Sequence, residues 1–376
     1  MPMRRRDAVA HGPSKAPYQG RALRWLTRWR HALTTDSPAQ TSRERVIRTL
    51  RFEKPDRAPR DLWTLPGIPM FHQDKLDAML TRYPTDFAYP DVTYGPAERA
   101  KGEPHRVGTY VDAWGCVWHV GEPGVIGEVK GPPLADWSAL RTYQPPWEVI
   151  ENADFSRVNE SCQHSDKFML VWGTAINPFE RMQYLRGSEK LYIDLAYGTS
   201  EIIQLRDRLH DYYLAELDRW IETDVDGIAF MDDWGAQHQL LISPEMWRAL
   251  FKPLYAEYCE IIHGAGKFAF MHSDGHITAI YPDLIEIGVD ALNAQLFCMD
   301  IESLAERFQG QITFWGEIDR QHVLPFGTPS EVKAAVRRVR RALDDGTGGV
   351  IAQCEWGNDV PAENVAAVFE AWQEPR

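Results

Sequence analysis

The chain of 376 residues is long enough to bury a large core in one big or two medium domains. Its composition, 44% hydrophobic and 25% charged, is that of a globular protein and not of a disordered or fibrous one. A net charge of −13 argues against a surface that tracks nucleic-acid phosphates, and no run of about 18 apolar residues offers a membrane span.

The first 41 residues stand apart. They hold eight Lys or Arg against Asp7 and Asp36, so this segment is +6 and the remainder −19. RRRDAVAHGPSKAP lacks the apolar stretch of a secretory signal. In ALRWLTRWRHAL, residues Leu23, Trp25, Leu26, Trp29 and Leu33 can share one helix face. Residues 1–41 are therefore expected to form a basic, partly helical extension, either a membrane-surface or partner-binding arm or a frayed extension or helix docked on its own protein. Residues 42–376 are expected to form one domain.

SRERVIRTLRFEKPDRAPRDLW reads as a capped amphipathic helix from Ser42, stopped by Pro55, with a strand beginning near Ala58. The stretch from about 105 to 135 alternates aromatic and polar residues between Gly and Pro, the pattern of an antiparallel β insertion. From about Lys167 onward six short apolar runs (FMLVW, GIAFM, FAFM, VDAL, ITFW, VIAQ) alternate with helical patterns, including SEIIQLRDRLHDYYLAELDRWIET and SPEMWRALFKPLYAEYCEIIHGAG. Continuous apolar runs are buried parallel strands, and strand–helix alternation implies a parallel α/β fold. With two more strands in the first half the count reaches about eight, the number for a closed (β/α)8 barrel. No G-x-G-x-x-G follows any strand, which disfavours a dinucleotide-binding sheet.

Active sites of parallel barrels lie at the C-terminal strand ends. The polar residues there are Trp172 and Asn177; Asp232, Asp233 and Gln237; His272 and Asp274; Asn293 and Gln295; Glu317 and Asp319; Cys354 and Glu355. Imidazole, carboxylate and thiolate are common zinc donors, so His272, Asp274 and Cys354 are candidate metal ligands, with Glu317 or Glu355 as further donors. Asp232 and Asp233 are candidate acid–base groups, since two carboxylates in a dry pocket push one pKa upward. Asp274 is an alternative general base, with Gly275 leaving room for substrate to approach. The five cysteines (Cys116, Cys162, Cys259, Cys298, Cys354) are odd in number and form no C-x-x-C pair, so no disulfide framework is expected and a reducing cytoplasm is the default.

SRERVIRTLRFEKPDRAPRDLW, DDWGAQHQLLISPEMWRALFKPLY, FMHSDGH, GVDALNAQ, WGEIDRQHVLPFGTPSEV and PAENV follow one another in that order. In these landmarks the sequence resembles the uroporphyrinogen decarboxylase superfamily. The resemblance implies a (β/α)8 TIM barrel. RAPRDLWTLPG stands where true uroporphyrinogen decarboxylases carry an arginine motif of the R-Q-A-G-R-Y kind. The chain is more similar to the methyltransferase branch, whose zinc is held by His-x-Cys and a distant Cys. His272 matches the first of these and Cys354 falls at the last, with Asp274 in place of the middle Cys.

The resemblance thus implies a metal-dependent methyltransferase or demethylase of a small methylated compound or thiol. Methyl would pass to or from a corrinoid or a folate-like (tetrahydrofolate) carrier. A corrinoid would sit on a separate protein or be free, since no D-x-H-x-x-G motif is present. Asp232, Asp233 and Asp274 would be catalytic. Trp172, Asn177, Gln237, Asn293, Gln295 and Glu317 would bind substrate. Zinc or another divalent metal is expected, and a homodimer is the family expectation. Two alternatives stay open: a metal-independent decarboxylase or lyase of a small carboxylic acid, and a barrel that binds a small molecule without chemistry.

Overall fold

The computed structural model describes residues 40–375. The basic extension expected over 1–41 lies almost wholly outside the described residues. The described residues form eleven strands, in chain order β1 (Arg60–Thr64), β2 (Phe87–Ala88), β3 (Gly108–Val111), β4 (Val117–Val120), β5 (Glu128–Gly131), β6 (Phe168–Val171), β7 (Gly227–Met231), β8 (Phe268–Ser273), β9 (Ala291–Ala294), β10 (Thr313–Trp315) and β11 (Val350–Trp356). Eight of them form one parallel sheet in the order β1-β11-β10-β9-β8-β7-β6-β2, and β3-β4-β5 form a separate antiparallel sheet. The eight curl into a (β/α)8 TIM barrel. Its seam lies between β1 and β2, where Asp86 N–H donates to Arg60 O at 2.8 Å.

Side-chain alternation explains what fills the barrel. Phe87, Phe168, Leu170, Ala229, Phe270, Ala291, Trp315 and Ile351 form one apolar cluster inside the staves, every second residue of each strand. Their neighbours, among them Met169, Ile228, Met271, Leu292, Phe314, Ala352 and Cys354, belong to the larger cluster shared with the surrounding helices. The helix Ser42–Leu50 closes the floor, with Val46 and Leu50 packed on the inner cluster. A capping box starts this helix at Thr41, one residue earlier than the Ser42 pattern suggested, and it ends nine residues on, before Phe52 turns to φ +56°. Pro55 is therefore not its stop.

The floor is tied by charge. Asp86 is fully buried and accepts from Arg45 Nη1 (2.7 Å), Arg57 Nη1 (2.7 Å) and Arg60 N–H (2.6 Å). The long helical pattern over 200–223 forms Ser200–Trp220. The pattern over 243–266 breaks into Pro244–Leu250 and Lys252–Gly264, because Pro253 has no N–H to continue the first helix and instead opens the second.

Candidate active site

The inward alternation carries past the ends of the strands and decides which polar groups meet. His272, two residues beyond Phe270, points into the barrel mouth with Asp233 and Asp274. One ligand atom from each lies within 4.8 Å of the others. His272 Nε2 is 3.5 Å from Asp233 Oδ1 and 3.5 Å from Asp274 Oδ1. Neither distance is a hydrogen bond. Asp274 Oδ1 has no hydrogen-bond partner at all.

The imidazole is held by its other nitrogen. Asn293 Nδ2 donates to Trp315 O at 2.5 Å, which turns Asn293 Oδ1 toward His272 Nδ1 at 2.7 Å. Nδ1 must then carry the proton, and in the neutral ring Nε2 presents its lone pair to the carboxylates. Asp233 Oδ1 accepts the Asp274 N–H at 2.9 Å. Burial pushes the Asp233 and Asp274 carboxyls above the usual carboxylate range, partly offset by His272. Burial by itself would lower the His272 pKa, yet Asp274, Asp233 and Glu317 together raise it.

Arg320 gathers the remaining acids. Its Nη2 binds Asp274 Oδ2, Nη1 binds Glu355 Oε1 at 2.8 Å, and Nε lies 3.6 Å from Glu317 Oε2. Arg320 thus occupies one Asp274 oxygen and leaves the other facing His272. Glu317 is 2% exposed, and burial pushes its pKa up to about 8. Asp233, Asp274, Gln295, Arg320, Glu355 and Asp359 border an open cavity of about 470 Å³, a volume suited to a small molecule.

Not every residue expected at the site reaches it. Cys354 sits on the other face of β11 from Gln353 and Glu355, fully buried among helix-facing apolar residues, and burial pushes its thiol pKa far up. It does not join His272 and Asp274. The third carboxylate or imidazole of the cluster is Asp233. Asp232 faces outward for the same reason of alternation. Its carboxylate accepts from Phe179 N–H (3.0 Å), Glu180 N–H (2.7 Å) and Tyr255 Oη (2.5 Å), capping the helix Pro178–Arg186 from a neighbouring stave.

Asn177 is likewise drawn into that helix start, accepting from Tyr213 Oη (3.0 Å) and donating to Glu180. Trp172 packs on Trp63 and Trp315 in the inner aromatic cluster. Asn293 acts through His272. Gln295 accepts the Gly275 N–H at 3.0 Å and lines the cavity, as does the exposed Gln237. Gly275, at φ +76°, makes room for the Gly235 backbone and not for substrate: a Cβ there would lie 2.2 Å from Gly235 O.

Four residues at or beside the site had no place in the sequence reading. Arg320 lies three residues past Glu317, and a cation just after a strand end was its one signal. Glu180 feeds negative potential toward Asp233. Asp61 is inward on β1, where Trp63 and Trp315 indoles donate to it at 2.9 Å each, and burial pushes its pKa up to about 6. Trp63 also stands edge-on to His272, with ring centroids 5.3 Å apart.

Strand order, polar mouth and apolar floor define a (β/α)8 barrel built on the plan of an enzyme, its polar cluster at the C-terminal strand ends. The chain belongs to the uroporphyrinogen decarboxylase family, whose model matches residues 41–375. Among solved structures it is similar to a methyltransferase from Methanosarcina mazei, with a TM-score of 0.65 and 16% identity over 89% of this chain and 98% of that one. A glycosylated endo-beta-1,4-xylanase of glycoside hydrolase family 10 from Gloeophyllum trabeum aligns at a TM-score of 0.44 and 10% identity, covering 90% of this chain and 100% of that one. The likeness to the methyltransferase speaks to the fold alone. No curated protein matches the chain.

Proposed function

We propose that this protein is a divalent-metal-dependent methyltransferase or demethylase of a small molecule, with His272, Asp233 and Asp274 as the metal ligands. The observation that carries the reading is the pair of 3.5 Å separations around His272 Nε2. Nitrogen and oxygen ligands 2.0–2.2 Å from a tetrahedral ion stand roughly 3.3–3.6 Å apart. The donor set fits such an ion: one imidazole, two carboxylates, a free Asp274 oxygen and a ring fixed by Asn293. It contains no sulfur, so it is a harder site than a thiolate set and favours nitrogen- and oxygen-preferring divalent ions.

A divalent ion held by these residues would lower the pKa of a thiol, hydroxyl or water bound beside them and so would supply a nucleophile near neutral pH. The chain's own residues do the rest. Asn293 holds the His272 tautomer, and Arg320 limits Asp274 to one free oxygen. Glu317, with a pKa raised to about 8, is poised to give or take the proton exchanged at the substrate. Methyl transfer itself rests on the sequence landmarks of that branch and agrees with the Methanosarcina neighbour's being a methyltransferase. The methyl carrier, a corrinoid on a separate protein or a folate, comes from the same resemblance.

A small carboxylic acid is a poorer candidate substrate. Among the described residues lining the cavity, Arg320 is the single Arg or Lys, and three carboxylates already surround it. The test is a screen of methylated thiols, ethers and amines with corrinoid or folate acceptors, with and without added divalent ion. Demethylation that needs the ion and is lost in His272→Ala supports the reading. Turnover that is indifferent to chelation and survives His272→Ala contradicts it.

A further inference from the structure

Beside the main cavity lies a compartment of about 30 Å³, bordered by Gln295, Cys298, Glu317, Asp319 and Arg320. It shares Gln237, Gln295, Arg320 and Gln321 with the larger space. Its volume suits one small group, the size of a water, a methyl or an ammonium. Most polar atoms around it are committed. Gln295 Oε1 accepts from Gly275 N–H and Cys298 Sγ, and Asp319 Oδ1 accepts from the Gln321 and His322 N–H groups. Arg320 is turned to Asp274, Glu355 and Glu317. Among the described residues of its wall, the buried side-chain polar atom without a partner is Glu317 Oε1, an acceptor on a residue 2% exposed.

A buried acceptor left without a donor is unfavourable, so the compartment calls for a donor. The surrounding charge says which kind. Asp274, Asp319 and Glu355 stand against one guanidinium, Arg320, with the imidazole of the exposed His322 on the Asp319 side, and Glu317 becomes a fourth negative charge when it gives up the proton that burial holds on it. A divalent ion held by His272, Asp233 and Asp274 is matched by Asp233 and Asp274, which leaves Asp319 and Glu355, with Glu317 once ionised, against Arg320, so the balance stays acidic.

We propose that this compartment receives the protonated amine of a small substrate, whose remaining atoms lie in the main cavity against Asp233 and Asp274. Glu317 Oε1 accepts from the ammonium, and the acid surroundings exclude carboxylate-ended molecules. The inference names the substrate class of the site proposed above and rests on that reading for the reaction, but not for the binding. Methylammonium therefore binds here in preference to its uncharged and anionic counterparts.

The experiment titrates the full-length protein with methylammonium, methanol or acetate by calorimetry and ligand-observed NMR, in chelator-treated and in zinc-loaded samples. Methylammonium is expected to bind at least tenfold more tightly than methanol in both samples, with no binding of acetate in the metal-free one. Glu317→Gln, checked for folding by thermal melting, is expected to weaken methylammonium at least tenfold. Methanol binding as well as methylammonium overturns the proposal, and so does a folded Glu317→Gln that binds methylammonium undiminished. If Glu317→Gln does not fold, the methylammonium-to-methanol ratio in the wild-type protein still decides. Metal content, measured separately, separates failure here from failure of the metal reading.

Discussion

Two neighbouring aspartates, Asp232 and Asp233, should separate cleanly into stability and metal binding. Asp232 is completely buried and receives three donors: Phe179 N–H and Tyr255 Oη on Oδ2, and Glu180 N–H on Oδ1. Each buried donor left unpaired costs about 1–3 kcal/mol. Asp232→Ala strands all three, partly offset by removal of a carboxylate that burial pushes well above its ordinary pKa, so about 3–5 kcal/mol of stability should be lost. Asp232→Asn can keep the two bonds to Oδ2 and strand one donor, for a loss of about 1–3 kcal/mol. Urea unfolding gives both numbers, and zinc titration of the folded variants gives the second axis. Metal stoichiometry should stay unchanged in Asp232→Asn. Asp233, a third exposed at its side chain, should behave in reverse: Asp233→Asn shifts stability by less than about 1 kcal/mol and weakens metal at least tenfold. Loss of metal in a folded Asp232→Asn would refute the assignment of these two side chains to opposite faces.

The thiol at 354 should be dispensable to the metal: Cys354→Ala is expected to keep full zinc stoichiometry by elemental analysis, with a stability loss of about 1 kcal/mol. Metal affinity should fall as pH drops, because the ion needs the Nε2 lone pair and the metal-free protein holds the His272 pKa above its ordinary 6.5. Competition titrations from pH 8 to pH 5.5 should show the fall beginning above pH 6.5, and a flat profile would count against His272 as a ligand. At the barrel floor, burial would raise the Asp86 pKa, but its bonds to Arg57, Arg60 N–H and Ser42 lower it overall. The stability it contributes is therefore present above the unfolded value of about 3.9 and lost as pH falls below it. Asp86→Ala, which leaves Arg45 and Arg57 without their shared partner, should cost about 3–5 kcal/mol in denaturant unfolding. Gly275→Ala, with its Cβ 2.2 Å from Gly235 O, should destabilise the protein and weaken zinc binding together.

The barrel was legible because its signal is periodic. Six apolar runs alternating with helical patterns map onto β6 through β11, and the Gly- and Pro-punctuated stretch became the β3-β4-β5 sheet. The site was legible only to the level of which strand ends carry acids. Which face each residue takes depends on parity, and runs buried on both faces, such as VIAQCEW, give no contrast to set it. That is why Cys354 looked equivalent to Glu355, and Asp232 to Asp233. Arg320 was hidden for another reason. Its position is fixed by three carboxylates from different parts of the chain, a contact that no local pattern encodes.

Cobalt substitution tests the centre most directly, because the visible and near-ultraviolet spectrum reports both coordination number and sulfur ligation. One cobalt per chain in a four- or five-coordinate environment, without a thiolate charge-transfer band, and lost in His272→Ala and Asp233→Asn, is the expected result. A thiolate band that disappears in Cys354→Ala, or cobalt bound equally well without His272, would contradict the account.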